Sequence, residues 1–247
     1  MKKAIIITVA IVAVVAAVST VVALRGWPAA LVGSGNLETE AYVFSDFTEV
    51  EIGSAFEFEV KQSSSYGINI TADDNVMEYV QVSKDGQTLK IGLRTGLGIF
   101  LGPVSATLRA SVTMPQLNGL TASGASRGTV SGFSSTEDLD VTVSGASMVT
   151  GDIVAGNVGF GISGASTIQL EGSANDIDAN VSGASRLNLD DFTVDNVDVN
   201  FSGASSGTVN LSGRLDANLS GASTLWYIGE PTSTDINTSG ASTVSKK

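Results

Sequence analysis

One tetrapeptide, Ser-Gly-Ala-Ser, occurs seven times, at Ser123–Ser126, Ser144–Ser147, Ser163–Ser166, Ser182–Ser185, Ser202–Ser205, Ser220–Ser223 and Ser239–Ser242. The steps between copies are 21, 19, 19, 20, 18 and 19 residues. A motif returning at that period is the mark of a solenoid, in which each repeat forms one coil and buries its apolar side against its neighbours.

The residues around the motif say what each coil contains. One, three and five places before the first Ser stand Leu139, Val141 and Val143, then Val158, Phe160 and Ile162, then Ile177, Ala179 and Val181. The next two sets are Val197, Val199, Phe201 and Leu215, Ala217, Leu219. Polar residues alternate with them. Asp140, Asp178, Asp198, Asp216 and Asp235 lie four places before the Ser, and Thr142, Asn180, Asn200, Asn218 and Asn237 lie two places before it. Strict alternation is the pattern of a strand with one face in and one face out, and the 3.6-residue period of a helix is absent.

Past the motif, Ile168 and Leu170, Leu187 and Leu189, and Leu225 and Tyr227 mark a second short strand. Gly-Ala between the strands makes a corner, because Gly accepts positive φ and Ala is small enough to stack. Stacked strands of this kind are parallel, and crossovers between parallel strands are overwhelmingly right-handed. The expected fold is therefore all-β, a single-stranded right-handed parallel β-helix with coils of about 19 residues. A left-handed β-helix would keep a six-residue period, and a leucine-rich repeat would keep its Leu-x-x-Leu-x-Leu-x-x-Asn pattern; neither is present.

The chain begins with Met1-Lys2-Lys3, and Ala4–Leu24 then runs 21 residues without a charge before Arg25. About 20 residues span the hydrocarbon of a bilayer. A cleaved signal peptide would need only about 7–15 apolar residues ending in small ones, and Val21-Val22-Ala23 is the weak cleavage site available to it. The length favours an uncleaved signal anchor over 1–25, with Lys2 and Lys3 holding the N-terminus in the cytoplasm. The rest of the protein then lies outside the cytoplasm, on a single-pass membrane protein; cleavage would make it a secreted one. Residues 26–41 read as a linker, flexible at Gly33-Ser34-Gly35-Asn36.

Residues 42–120 lack the tetrapeptide. Val50–Ile52, Phe56–Val60, Ile68–Ile70, Val80–Val82, Leu89–Leu93 and Ala106–Val112 read as short strands. Lys84-Asp85-Gly86-Gln87 is a turn, and Asp73–Glu78 starts one helical turn with Asp or Asn as its cap. These residues form either the first, irregular coils of the solenoid or a β cap over its end, and the regular coils follow over 121–247. Gly96–Pro103 is an apolar, Gly-rich loop that reads as a lid over the core.

All 25 acidic residues lie at Glu38 or later, with ten of the 13 basic ones, so this part carries a net charge of −15. Such a surface makes nucleic acid an unsuitable partner and keeps a repetitive β protein soluble. The chain has neither His nor Cys. The side chain that titrates near neutrality is missing, and no disulfide can form.

The column of Asp140, Asp178, Asp198, Asp216 and Asp235 is the strongest chemical feature. Stacked carboxylates repel, and a hard cation such as calcium would offset that, yet the calcium-binding nonapeptide is absent and solvated surface is the expected role. A glycosidase needs two carboxylates across a sugar, a spacing that any such ladder meets by geometry alone. Only Arg186 and Arg214 lie near, without the basic cluster of a β-helix lyase. The Asn column includes Asn-x-Ser sequons at Asn180, Asn200, Asn218 and Asn237, with others at Asn69 and Asn210, and is expected to hydrogen-bond from coil to coil. The Ser residues have no partner base and read as corners, not nucleophiles. No catalytic, cofactor or metal residue is assigned.

The recurrence of Ser-Gly-Ala-Ser after a lead-in of Phe47-x-x-Val50-x-Ile52-Gly53, Asp74-Asn75, Lys84-Asp85-Gly86-x-x-Leu89-x-Ile91 and Met114-Pro115-x-Leu117 resembles the family of putative auto-transporter adhesin, head GIN domains, over about Phe47 to Val244. The resemblance implies a right-handed β-helix, secreted or membrane-attached, and supplies no catalytic residues. The chain differs from an auto-transporter in having no C-terminal membrane barrel in this sequence. The expected function is a membrane-anchored, extracytoplasmic, non-catalytic module that binds a glycan or protein or acts as a spacer. The rival is a carbohydrate-active enzyme, a polysaccharide lyase or hydrolase, on the same scaffold.

Overall fold

A computed structural model of the chain describes residues 31–94 and 104–247. They form an all-β structure whose regular part is a solenoid of about seven turns. Nine strands precede the regular turns: β1 (Leu31–Val32), β2 (Leu37–Tyr42), β3 (Glu49–Ile52), β4 (Glu57–Gln62), β5 (Gly67–Asp73), β6 (Val80–Asp85), β7 (Thr88–Leu93), β8 (Val104–Ser105) and β9 (Leu108–Met114). Each turn is then a pair of strands joined by one Ser-Gly-Ala-Ser corner. The pairs are β10 (Gly119–Ala122) with β11 (Arg127–Ser134), β12 (Leu139–Val143) with β13 (Met148–Val154), and β14 (Val158–Ile162) with β15 (Thr167–Ser173). Next come β16 (Asp176–Val181) with β17 (Arg186–Val194), and β18 (Asn196–Phe201) with β19 (Ser206–Leu211). The last are β20 (Arg214–Leu219) with β21 (Thr224–Ile228) and β22 (Ser233–Thr238) with β23 (Thr243–Lys246).

Even-numbered strands from β10 to β22 stack in parallel into one long sheet, and odd-numbered strands from β11 to β23 into the other. The alternation read from the sequence holds in space. Val141, Phe160, Ala179, Val199 and Ala217 are all buried and are register partners on successive turns. Each such side chain removed from water contributes roughly 1.5–3 kcal/mol when it is a Val, Leu, Ile or Phe.

The corner explains why the tetrapeptide recurs. Gly145, Gly164, Gly183, Gly203 and Gly221 have φ between 77° and 79°. A β-carbon built on Gly183 would lie 2.4 Å from the carbonyl oxygen of Gly164 below it. Both the backbone region and the stacking distance therefore require Gly. That carbonyl accepts from the amide of the Ala on the next turn: Ala184 N donates to Gly164 O and Ala204 N to Gly183 O, both at 2.8 Å. The last Ser of the corner points inward and is buried in every turn from Ser126 to Ser223. In four turns its hydroxyl donates to a backbone carbonyl, as from Ser126 to Ser123 O and from Ser223 to Ser220 O, each at 2.8 Å, whereas Ser166 Oγ is buried without a partner.

The strands of the irregular part do not stack in chain order. β3 lies between β7 and β10, and β4 between β9 and β11, with all four pairings parallel. The corner joining β3 to β4 is Gly53-Ser54-Ala55-Phe56, a diverged copy of the tetrapeptide with Ser54 at φ 60° in the Gly position. Antiparallel strands then close this end: β5 on β9, β2 on β5, and β6 on β7 through the Asp85-Gly86 turn.

Two local expectations are corrected. Residues 31–41, read as part of a linker, carry β1 and most of β2. The helical turn expected within Asp73–Glu78 is present as Asp74–Met77, but Asp73 before it makes no side-chain capping bond. One physical cause covers both. The Asp73 carboxylate is turned inward, 3% exposed, and accepts 2.7 Å bonds from the amides of Gly35 and Thr107. It thereby ties the supposed linker to the start of β9. The expected anchor over 1–25 and the apolar loop at 96–103 lie outside the described residues. Among the described residues, no helix is long and apolar enough to cross a membrane.

Candidate binding face on the long sheet

The outer face of the sheet formed by β12, β14, β16, β18, β20 and β22 carries three parallel polar columns. Strand pairing sets their register, so one side chain of each column arrives per turn, about 4.8 Å apart. The middle column runs Asp140, Gly159, Asp178, Asp198, Asp216, Asp235, each the register partner of the next. All five carboxylates singled out in the sequence are brought into line, and Gly159 interrupts them. The second column is Thr142, Gly161, Asn180, Asn200, Asn218, Asn237.

The expected coil-to-coil bonding of the Asn side chains is replaced by bonding within the turn. Asn180 Nδ2 donates to Asp178 Oδ1 at 3.0 Å, and Asn218 and Asn237 donate likewise to Asp216 and Asp235 at 3.3 Å. The reason is the strand itself: residues two apart share a face, and an acceptor carboxylate beside each amide wins over another amide.

The third column escaped the reading of the sequence. Asp138, Asn157, Asp176, Asn196 and Arg214 stand six places before successive corners, an offset as constant as the other two. Its members clamp adjoining turns. Asp138 Oδ1 accepts from the amide of Asn157 at 2.8 Å, Asp176 Oδ1 from Asn196 Nδ2 at 2.7 Å, and Asn196 Oδ1 from the amide of Arg214 at 2.9 Å.

Arg214 also places Nη1 3.1 Å from Asp216 Oδ2. Arg186, the other basic residue noted in the sequence, lies on the opposite sheet, its Nε 3.4 Å from Ser206 Oγ. Asp198 has no such pairing. Burial first, then the charges of Asp216 and Asp178, hold its carboxyl above the usual range, while Arg214 acts the other way.

Two shallow grooves follow the columns. One, of about 460 Å³, opens over Gly159 and is lined by Asp138, Asp140, Asp176, Asp178, Asp198 and Arg214. A β-carbon on Gly159 would lie 2.5 Å from Asp140 Oδ1, so the glycine makes the room that this carboxylate uses. The other, of about 530 Å³, runs beside it along Asn180, Asn200, Asn218 and Asn237 and the first Ser of each corner. Among the described residues, no group of three or more His, Cys, Asp or Glu side chains is gathered to hold a metal ion. The columns present carboxylates one per turn along a line.

Stacked turns whose long sheet displays carboxylates in one column and amides in the next define the chain as a β-solenoid domain with a polar outer face. The chain belongs to the family described as putative auto-transporter adhesin, head GIN domain, whose sequence profile matches residues 46–231. Solved structures share the fold. A putative adhesin from Bacteroides fragilis NCTC 9343 superposes with a TM-score of 0.77 at 21% identity, over 88% of this chain and 100% of that one. A putative lipid binding protein from Parabacteroides distasonis ATCC 8503 gives 0.69 at 22%, over 89% and 100%. A putative adhesin from Parabacteroides merdae ATCC 43184 gives 0.64 at 19%, over 88% and 99%. No curated protein matches the chain.

Proposed function

We propose that the chain is a membrane-anchored, extracytoplasmic, right-handed β-helix whose polar columns form a non-catalytic binding face for a glycan or protein ligand. The observation that carries this reading is the regular lattice of the outer face. Many of its polar groups, among them Asp138, Asp176, Asn180, Asn196 and Asn218, are bonded to a neighbouring turn or to a residue two places away, and the columns repeat along the solenoid axis. Such a face suits an extended ligand gripped at several equivalent points. Ala4–Leu24 supplies the anchor, Lys2 and Lys3 keep the N-terminus in the cytoplasm, and the seven turns stand outside.

The test uses the full chain reconstituted in nanodiscs and screened against arrays of glycans and surface proteins. Binding is expected to be lost when Asn200→Arg blocks the groove, with the melting temperature retained. A ligand that binds the Asn200→Arg protein as well as the parent would remove this face from the function. For the anchor, N-terminal sequencing of membrane-extracted protein is expected to begin at residue 1 or 2; a sequence starting after Ala23 would refute retention.

A second reading, a glycoside hydrolase, is favoured by one feature. Asp140 and Asp178 face each other across Gly159 at two strand spacings, roughly 9–10 Å between backbones, near the upper range for an inverting acid–base pair. Cleavage of a glycan bound by the parent, abolished by Asp140→Asn and by Asp178→Asn, is the result that would select it.

A further inference from the structure

We infer that the capped end of the solenoid, where β1 and β8 meet, rests against the lipid surface, with the solenoid axis directed away from the bilayer. This rests on the anchor reading above and adds an orientation and a contact surface to it.

The tether has a short reach. Six residue steps, with five residues between, separate Arg25, which closes the apolar N-terminal run, from Leu31, the first residue of β1. Fully extended, they span at most roughly 20 Å. The eleven-stranded sheet extends from β2 at the capped end to β23 at the other, which is ten strand spacings, or roughly 48 Å. The tether thus holds the capped end near the bilayer and is too short to let the far turns replace it there.

This end exposes apolar side chains. Val32 is 59% and Leu37 50% exposed, both large apolar side chains in contact with water. They are held around one short segment: Leu37 is the register partner of Asp73, and Asn75 Nδ2 donates to the carbonyl of Val32 at 2.9 Å. Val43 is 97% exposed but lies past the other end of β2, so it is not counted in this patch.

β1 pairs in parallel with β8, Leu31 opposite Val104. The residue that ends the tether and the residue that follows the apolar stretch Gly96–Pro103 are therefore neighbours. Two uncovered apolar side chains, Val32 and Leu37, lie at the end of the molecule where the tether enters. Glu38, Glu40 and Asp74 around the patch disfavour anionic lipid and set the contact at zwitterionic headgroups.

The absence of cysteine makes the test direct. Leu37→Cys and Thr234→Cys, on β2 and β22, each give a single labelling site at an exposed position. Each full-length protein is labelled with a fluorophore, reconstituted into phosphatidylcholine vesicles and floated. Quenching by headgroup spin-labelled lipid is then read. Residue 37 is expected to lose most of its fluorescence and residue 234 to keep it. Equal quenching at both sites would show a solenoid lying flat, and no quenching at either would show one held off the surface; both overturn the orientation while the anchor stands. Protein that fails to float with the vesicles overturns the anchor reading and the orientation together.

Discussion

The ring of Phe201 occupies the space in front of Gly207: a β-carbon at residue 207 would lie 2.6 Å from Phe201 Cζ. On the turns to either side, Leu187 and Leu225 hold the register position of Gly207, while Val181 and Leu219 hold that of Phe201. Core volume is exchanged between the two sheets within one turn. Phe58 and Gly128 show a different trade nearer the cap: they are register partners on adjacent strands of one sheet, and a β-carbon at residue 128 would lie 2.3 Å from Phe58 Cδ2.

Phe201→Ala is expected to lose about 3–5 kcal/mol, because it leaves a cavity between stacked turns. Gly207→Leu alone overpacks and costs about 1–3 kcal/mol or more. Phe201→Val combined with Gly207→Leu copies the neighbouring turn with Val181 and Leu187, and should recover most of both losses. Urea unfolding of the single and double variants measures the coupling; strictly additive losses would show that the two positions do not share space.

The outward neighbour should behave differently. Asn200 is exposed, so Asn200→Ala should cost about 1 kcal/mol or less. Phe201→Asp should exceed Phe201→Ala, since it buries an unpaired charge. The same unfolding series would expose a reversed register if the Asn200 variant proved the more damaged.

Two glycines separate backbone strain from stacking. Gly86 has φ 59° with nothing within 4 Å of an added β-carbon, whereas Gly183 has φ 77° with a carbonyl oxygen 2.4 Å from that position. Both lose roughly 1–2 kcal/mol on substitution by Ala from the left-handed backbone alone. Gly183→Ala should lose clearly more in a thermal melt, because the turn below must move. Equal losses would mean that the corners are loosely stacked.

Asp198 predicts a pH dependence. Its folded-state pKa is raised above the ordinary 3.8, so the folded protein binds this proton more tightly than the unfolded chain does. Its contribution to stability therefore increases as pH falls from neutrality through the folded-state value, and levels off below the unfolded value. Asp198→Asn removes the burden, so the variant should be more stable than the parent at neutral pH and the gap should close in acid. Melting curves of the pair across roughly pH 3–8 would check it; a gap that widens on acidification would contradict the assignment.

Asp73→Ala should leave the amides of Gly35 and Thr107 without their acceptor, at roughly 1–3 kcal/mol for each that stays dry. Hydrogen exchange should quicken at residues 33–36 and 105–107 and stay unchanged in the regular turns. Loss of protection throughout the solenoid would show that the cap and the turns unfold as one unit.

The regular turns were legible because a strand has a period of two and a coil has a period near 19, and both periods survive in the sequence. The inward rows of Leu215, Ala217 and Leu219 and the outward Asp216 and Asn218 could be placed with no structure at all. The corner before β4 was not legible, since Ser54 takes a left-handed conformation usually marked by Gly. The strands at 31–42 were hidden by Gly33-Ser34-Gly35, whose order comes from Asp73, 38 residues away from Gly35. The Asn-to-Asp bonds were misassigned because both partners have the same periodicity, and only side-chain geometry tells which neighbour wins. The column from Asp138 to Arg214 was readable at its fixed offset, but its residue types change from turn to turn and mask the regularity.

The place of β3 and β4 between β7–β9 and β10–β11 sets an order of assembly. A regular turn closes on a partner about 19 residues back, whereas β10 and β11 must find β3 and β4 some 70 residues earlier, Glu57 pairing with Arg127. That long closure costs about 1 kcal/mol more in chain entropy than a regular one. It is also the slow kind of contact. A chain made N-terminus first therefore completes its base before the first Ser-Gly-Ala-Ser corner has anything to land on. After that, growth is one short step repeated, each turn laid on a finished template, so elongation outward needs no further long search.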